Sequence, residues 1–355
     1  MLFPFKYVPH QMEKMQEFLD FTFFEVWCKA PIGQVFHPNL YGANPEYMAL
    51  MSEFGFSSKA AKRAKDFYQD IKEIYEQFST LSPQDVDQYR RWYLDNNDLE
   101  KICGGDLSVK PARYKEIVGK YPRLGGLLAN FCRGIYDQTL LGLVDLKGVI
   151  GSLRDHYQAF FTQNILGKCP FCGIGDLKGI YHTRRDAYDH YLPKCRYPFN
   201  SINFRNLVPA CNECNSSYKL SKDPVLVGNV RRKAFYPYST HNYVIEVTAV
   251  LEFATDTVPS GITLNLESAG LEEEIETWKE VYGIEERYKA KFSSPDAQDW
   301  LEEFRILNRS YGVMSSNHIA NISSRQRYAN NNFLKVAYLK ACAGNGLLAA
   351  IETGA

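Results

Sequence analysis

Apolar residues recur along this chain with different spacings, and the changes of spacing mark its parts. Through the first 165 residues they return every three or four positions, as in HQMEKMQEFLDFTFFEVWCKA and SKAAKRAKDFYQDIKEIYEQF, which lays one apolar stripe along a helix. In SPQDVDQYRRWYL, Ser82 stands where an N-cap is needed, Pro83 suits the first turn and acids follow, so a helix is predicted there. The Tyr and Phe residues at these spacings are read as core rather than as a base-stacking surface. Between 166 and 222 the helical period is lost, and Gly, Pro, Cys and Asn punctuate short stretches. Beyond Pro224, NYVIEVTAVLEF and GITLNLES read as two β-strands joined by a turn containing Pro and Gly. LEEEIETWKEVYGIEERYKAKF and AQDWLEEFRIL restore helical spacing, with Glu272, Glu273 and Glu274 at a helix start favoured by the helix dipole. The expectation is an α+β, mostly helical protein in three parts: a helical region 1–165, a central segment 166–222, and a β-hairpin plus helices over 223–355.

Charge sharpens this division. The chain of 355 residues carries 41 Lys and Arg against 41 Asp and Glu. Residues 166–233, however, hold 12 basic against 5 acidic residues, a basic island that suits a polyanion bound at one place. Hydrophobic content of 45% supplies ample core material. The N-terminal stretch lacks a secretory layout, and even LGGLLANFCRGIYDQTLLGLV is interrupted by Arg133 and Asp137. A soluble, cytoplasmic chain with no membrane partner is therefore expected, and its nine cysteines are read as metal ligands and free thiols rather than disulfides.

The central segment concentrates the candidate chemistry. Cys169-Pro-Phe-Cys172-Gly and Cys211-Asn-Glu-Cys214 each present two thiolates from one tight turn, and two such knuckles can close a tetrahedral Zn²⁺ site. Four thiolates leave no open coordination position, so this zinc is expected to be structural, stabilising a segment too small to fold on its own core. Cys195 has no partner at ligand spacing and is read as an ordinary thiol; His182 is read as an ordinary polar residue on the preceding strand. Between the knuckles stand Asp189-His190, then Asn206, with Asn215 directly after Cys214. In an extended segment, neighbouring side chains point to opposite sides. One can then grip a metal while the other faces a water across a bound group.

CPFCG, DHYLPK and NLVPACNECN, with Lys219 beyond, resemble the HNH endonuclease family, zinc-stabilised ββα-metal nucleases, over roughly residues 166–222. The resemblance implies a central ββα-metal core that cuts DNA. It makes Asp189 and Asn215 ligands of one Mg²⁺ or Mn²⁺, His190 the general base and Asn206 the residue that orients it. The family's lysine often lies three residues after the last metal ligand, where this chain has Tyr218, with Lys219 one place later. Effector nucleases of bacterial anti-phage defence, often controlled by a partner ATPase, share this kind of motif, which implies partner control or autoinhibition here. Arg184, Arg185, Lys194, Arg196, Arg205, Lys219, Lys222, Arg231, Arg232 and Lys233 are candidates for backbone phosphate contacts, which position nucleic acid without reading bases. Two competing readings are a non-catalytic zinc module that binds nucleic acid or protein, and the same chemistry on RNA.

Overall fold

The computed structural model describes residues 1–140, 143–253 and 258–353. The protein is α+β and mostly helical. The predicted N-terminal helices form, including Lys62–Phe78 and Pro83–Asn97, the latter capped by the Ser82 side chain, which accepts from Asp85 N. Many aromatic residues of this region are buried: Trp27, Tyr41, Phe54, Phe78, Tyr89 and Tyr93 are among the largest fully enclosed side chains, whereas Phe56 is exposed. No single helix among the described residues is long and apolar enough to cross a membrane.

The predicted strands pair as an antiparallel hairpin, Glu246–Phe253 with Pro259–Glu267. Pro259 and Gly261 lie inside the second strand rather than in the turn, and the connection 254–257 falls outside the described residues. The helical stretch after it is broken at Gly283 into Glu272–Tyr282 and Ile284–Phe292, with Glu272, Glu273 and Glu274 in the first turn of the former.

Packing does not follow the three compositional parts. One hydrophobic core gathers the helices of the N-terminal region together with Tyr188, Phe199, Ile202, Phe204 and Leu207. A second gathers the four knuckle cysteines and the C-terminal helices, but also Leu2, Phe5, Leu99 and Ile102. The chain start is tied into this second core by Leu2 N to Pro170 O at 2.8 Å and Phe5 N to Pro237 O at 2.8 Å. The boundaries at 165 and 222 mark changes in element type; they carry no information about which elements pack together.

The two cores meet at a short antiparallel ribbon. Strand Tyr188–His190 pairs with Leu207–Pro209, in register Asp189 to Val208 and His190 to Leu207. Alternate strand residues face opposite sides. Tyr188 and Leu207 accordingly belong to the helical core, while Val208 belongs to the other. The Asp189-His190 pair sits at this seam, one residue directed to each side.

Gly283 shows how tightly the C-terminal helices close on the short helix Cys214–Lys219 that follows the ribbon. Its φ of +58° is left-handed, and a Cβ there would collide with the Tyr218 ring. Gly283→Ala is expected to destabilise the fold by about 1–3 kcal/mol in thermal or urea denaturation. Adding Tyr218→Ala should recover the steric part and leave the left-handed penalty of roughly 1–2 kcal/mol.

Candidate active site

The four knuckle thiols converge. Cys169 and Cys172 sit in a turn closed by Cys169 N to Gly175 O and Gly173 N to Cys169 O, both 2.8 Å. Gly173 is left-handed there, φ +69°, and any side chain would strike Leu2 and Phe333. Cys211 and Cys214 follow the second ribbon strand and enter a short helix through Asn215 N to Cys211 O, 3.1 Å. The sulfurs of Cys169, Cys172, Cys211 and Cys214 all lie within 4.8 Å of one another, and all four residues are buried. Tetrahedral zinc with bonds of about 2.3 Å requires sulfurs roughly 3.8 Å apart; Cys172 and Cys211 are separated by 3.9 Å. The cluster can therefore bind a metal such as zinc.

A four-thiolate site around a dication carries net negative charge, and the structure answers it with a buried cation. Arg287 donates to Cys214 Sγ at 3.1 Å and to the Glu213 carboxylate at 2.8 Å. Trp278 Nε1 donates to Phe171 O and the Tyr288 hydroxyl to Cys172 O, so the C-terminal helices hold the knuckle by its own carbonyls. No sequence reading singled out Arg287. It lies 73 residues beyond Cys214 in an ordinary charged helix, and only the three-dimensional contact reveals it.

Asp189 is buried. Its Oδ1 accepts from Lys219 Nζ at 2.9 Å, while Oδ2 is buried with no hydrogen-bond partner among the described residues. Burial raises the carboxyl above the usual carboxylate range, and the Lys219 ammonium opposes the rise. Lys219, fully enclosed, also donates to His190 O at 2.8 Å. The His190 Nε2 lies 2.9 Å from Ser201 O. A carbonyl can only accept, so Nε2 carries the proton and Nδ1 keeps its lone pair. Burial, assisted by the charge of Lys194, pushes the imidazole down to about 3, so it is neutral at pH 7. The edge of the Tyr136 ring packs against it, centroids 4.7 Å apart.

One cleft of about 340 Å³ is lined by Asp189, His190 and Asn215 together with Tyr136, Asp137 and Lys194. Asn215 is held there by its place next to Cys214, at the start of the helix Cys214–Lys219. Asn206 lies elsewhere. It is fully buried, accepting from Leu192 N at 2.7 Å and donating to Leu192 O and Asn200 O at 3.1 and 3.2 Å. It makes no hydrogen bond to the imidazole. The contact to the ring comes from the Ser201 carbonyl, and Asn206 holds the loop that presents it.

The shifted lysine has a structural reason. Leu220 N bonds Asn215 O at 3.1 Å, a five-residue step that widens the turn Cys214–Lys219. Such a π-turn accommodates one extra residue. Tyr218 is that residue, turned outward beneath the Arg287 guanidinium at 4.7 Å, and Lys219 points inward to Asp189.

Most of the basic island serves the fold. Arg231 donates to the carbonyls of Ile102, Asp106 and Val109, and Arg232 to those of Asp223 and Pro224 and to Glu280. Lys222 caps Glu280 O and Val281 O, Arg205 lies over the Tyr7 ring, and Lys233 runs along Gly105. Lys219 is inside, and Lys194 pairs with Asp137. Arg185 lies over Tyr188 and donates to Asp186 O. Arg184 and Arg196 are exposed, and each makes no side-chain hydrogen bond or ion pair among the described residues. Cys195 is exposed, and His182 lies in a loop ahead of the ribbon rather than on a strand. Carbonyls at buried element ends need donors, and long cationic side chains supply them, so sequence clustering overstated the face open to a polyanion.

Compared with known proteins, no family model and no solved structure matches the chain. It is similar to protein ea31 of Escherichia phage lambda, 27% identical over 172 residues, covering 48% of this chain and 46% of that protein. It is also similar to ERI1 exoribonuclease 2 of Mus musculus, 32% identical over 77 residues, covering 21% of this chain and 10% of that one. The chain thus spans less than half the length of these relatives.

Two outcomes test this geometry. Cys214→Ser should cut the bound metal measured by elemental analysis from one ion per chain and lower the melting temperature, because the thiols belong to the second core. Lys219→Met should destabilise by about 3–5 kcal/mol through the carboxylate it leaves buried and unpaired, whereas the Lys219→Met, Asp189→Asn pair should be distinctly milder.

Proposed function

We propose that the chain is a metal-dependent endonuclease of the HNH type that hydrolyses phosphodiester bonds of DNA with little intrinsic sequence specificity. The observation that carries this reading is Asp189, whose buried Oδ2 has no partner among the described residues, lining one cleft with Asn215 and with an imidazole whose Nε2 is already committed to a carbonyl. A non-catalytic module has no use for that set. The four-thiol cluster would hold structural Zn²⁺.

The donor chemistry fits a hard cation. The free Asp189 oxygen and the Asn215 amide oxygen suit Mg²⁺ or Mn²⁺, and two protein ligands leave positions for water and phosphate oxygens. When bound, such an ion supplies positive charge against the charge that builds on the phosphoryl group and leaving oxygen. His190 does the proton work. Neutral, with the Nδ1 lone pair available, it accepts the proton of the attacking water, and the Ser201 carbonyl stabilises the resulting imidazolium through Nε2–H. Lys219 opposes the effect of burial on Asp189 and fixes the strand beneath it by its bond to His190 O. Asn206 acts at one remove, holding the loop that carries Ser201. The products would carry 5′-phosphate and 3′-hydroxyl ends.

Control by a partner, such as a sensor ATPase in anti-phage defence, belongs to the same proposal. Support comes from Asp137, whose carboxylate lines the cleft and pairs with Lys194, so an incoming phosphate must compete with it.

Supercoiled plasmid incubated with the protein and Mg²⁺ or Mn²⁺ should be nicked or linearised. His190→Ala should be roughly 10²–10⁴-fold slower. Equal cleavage by both proteins would overturn the assignment, and transfer RNA run in parallel decides between DNA and RNA.

A further inference from the structure

A second cleft, about 430 Å³, lies next to the first between the helix Leu153–Gln163 and the loop 179–187. Arg154, Tyr157, Gln158 and Phe161 line it from one face of the helix, at the spacing that brings side chains into a row. Arg184 and Arg185 line it from the loop, and no carboxylate among the described residues lines it. Arg154 and Arg184 are exposed, and neither makes a side-chain hydrogen bond or ion pair among the described residues. The Tyr157 and Phe161 rings are stacked, 27° between planes. Tyr157 is held in place because its hydroxyl donates its one proton between Lys178 O at 2.8 Å and the buried Asp186 carboxylate at 3.0 Å. A fixed aromatic wall facing unpaired guanidinium groups combines what binds a flat ring with what binds a phosphate.

Consecutive residues at the ribbon line the two clefts. Ala187 lines the second, Tyr188 and Asp189 the first, and Arg185 lies over the Tyr188 ring at 5.3 Å. At about 3.3 Å per strand residue, Ala187 and Asp189 are about 7 Å apart. That is on the order of two stacked nucleotide steps.

We infer that the second cleft is a subsite for an unpaired nucleotide of the strand being cut, with Arg154 and Arg184 on its phosphates and its base against half-buried Phe161, which buried Tyr157 backs. A base within a duplex is stacked on both faces and cannot enter a cleft walled by a helix and a loop; an unpaired one can. The preferred substrate is then a strand with a single-stranded segment beside the cut. This inference rests on the nuclease reading for its substrate, yet its test needs no cleavage.

The test uses the full-length His190→Ala protein without added divalent cation and measures fluorescence anisotropy with a labelled single-stranded oligonucleotide and its duplex. Single strand should bind more tightly than duplex. Arg154→Ala with Arg184→Ala should weaken single-strand binding at least tenfold and lower the slope of log K against log salt by roughly 1.4, two phosphate contacts at about 0.7 each. Phe161→Ala should weaken single-strand binding roughly tenfold with an unchanged salt slope, while Phe161→Trp retains it. Unchanged metal content and melting temperature establish that each variant is folded. Equal losses on single strand and duplex, or variants that bind like their parent, overturn the inference. Selective single-strand binding by a protein whose His190 form nicks nothing would leave the inference standing and sink the nuclease reading alone.

Discussion

Four sulfurs drawn into one buried cluster are the constraint on which the central segment depends. The strands Tyr188–His190 and Leu207–Pro209 are three residues each, far too short to be stable as a free ribbon. The cluster fastens a turn upstream of the first strand to the chain just after the second, and so sets where Asn215 emerges. Thiolates around a dication would carry negative charge, and Arg287, buried against Cys214, is placed to answer it. The C-terminal helices are thereby drawn onto the knuckle, and with Trp278 and Tyr288 on its carbonyls they form one core with it.

A second polar element, the Lys219–Asp189 pair, is buried more deeply than such pairs usually are. In that setting its Coulombic attraction is largely offset by the loss of hydration of both ions, so net stability is a poor reason for its presence. What it secures is a particular arrangement: a carboxyl with one oxygen engaged by the ammonium and the other without a partner among the described residues. A carboxyl left half-satisfied inside a protein is costly, so the arrangement is not explained by stability. The π-turn before Lys219 has the same character, since it gives up regular helical geometry to bring the ammonium inward while Tyr218 goes out.

The seam between the two cores gives these groups their surroundings. Strand alternation sends Asp189 toward the thiol-bearing core and His190 toward the helical one, where Tyr136 packs on its ring. Burial on both sides explains why the imidazole stays neutral and why the carboxyl resists ionisation except for Lys219. A ribbon on the surface of a single domain would have left both groups hydrated and close to their ordinary behaviour.

The helical N-terminal region, the C-terminal hairpin and the two cysteine knuckles were legible in the sequence, because apolar spacing and turn-forming residues act over a few neighbouring positions. The same locality put Asp189-His190 on a strand and Asn215 beside a knuckle. Other features depended on contacts between residues far apart in the chain. The ring of His190 is held by Ser201 rather than by Asn206, and Arg231 and Arg232 are bound to distant carbonyls. A sequence states which charges exist, whereas only the packed chain decides which remain facing water. Each buried polar group must find its partner in space, and nothing in local spacing specifies where that partner comes from.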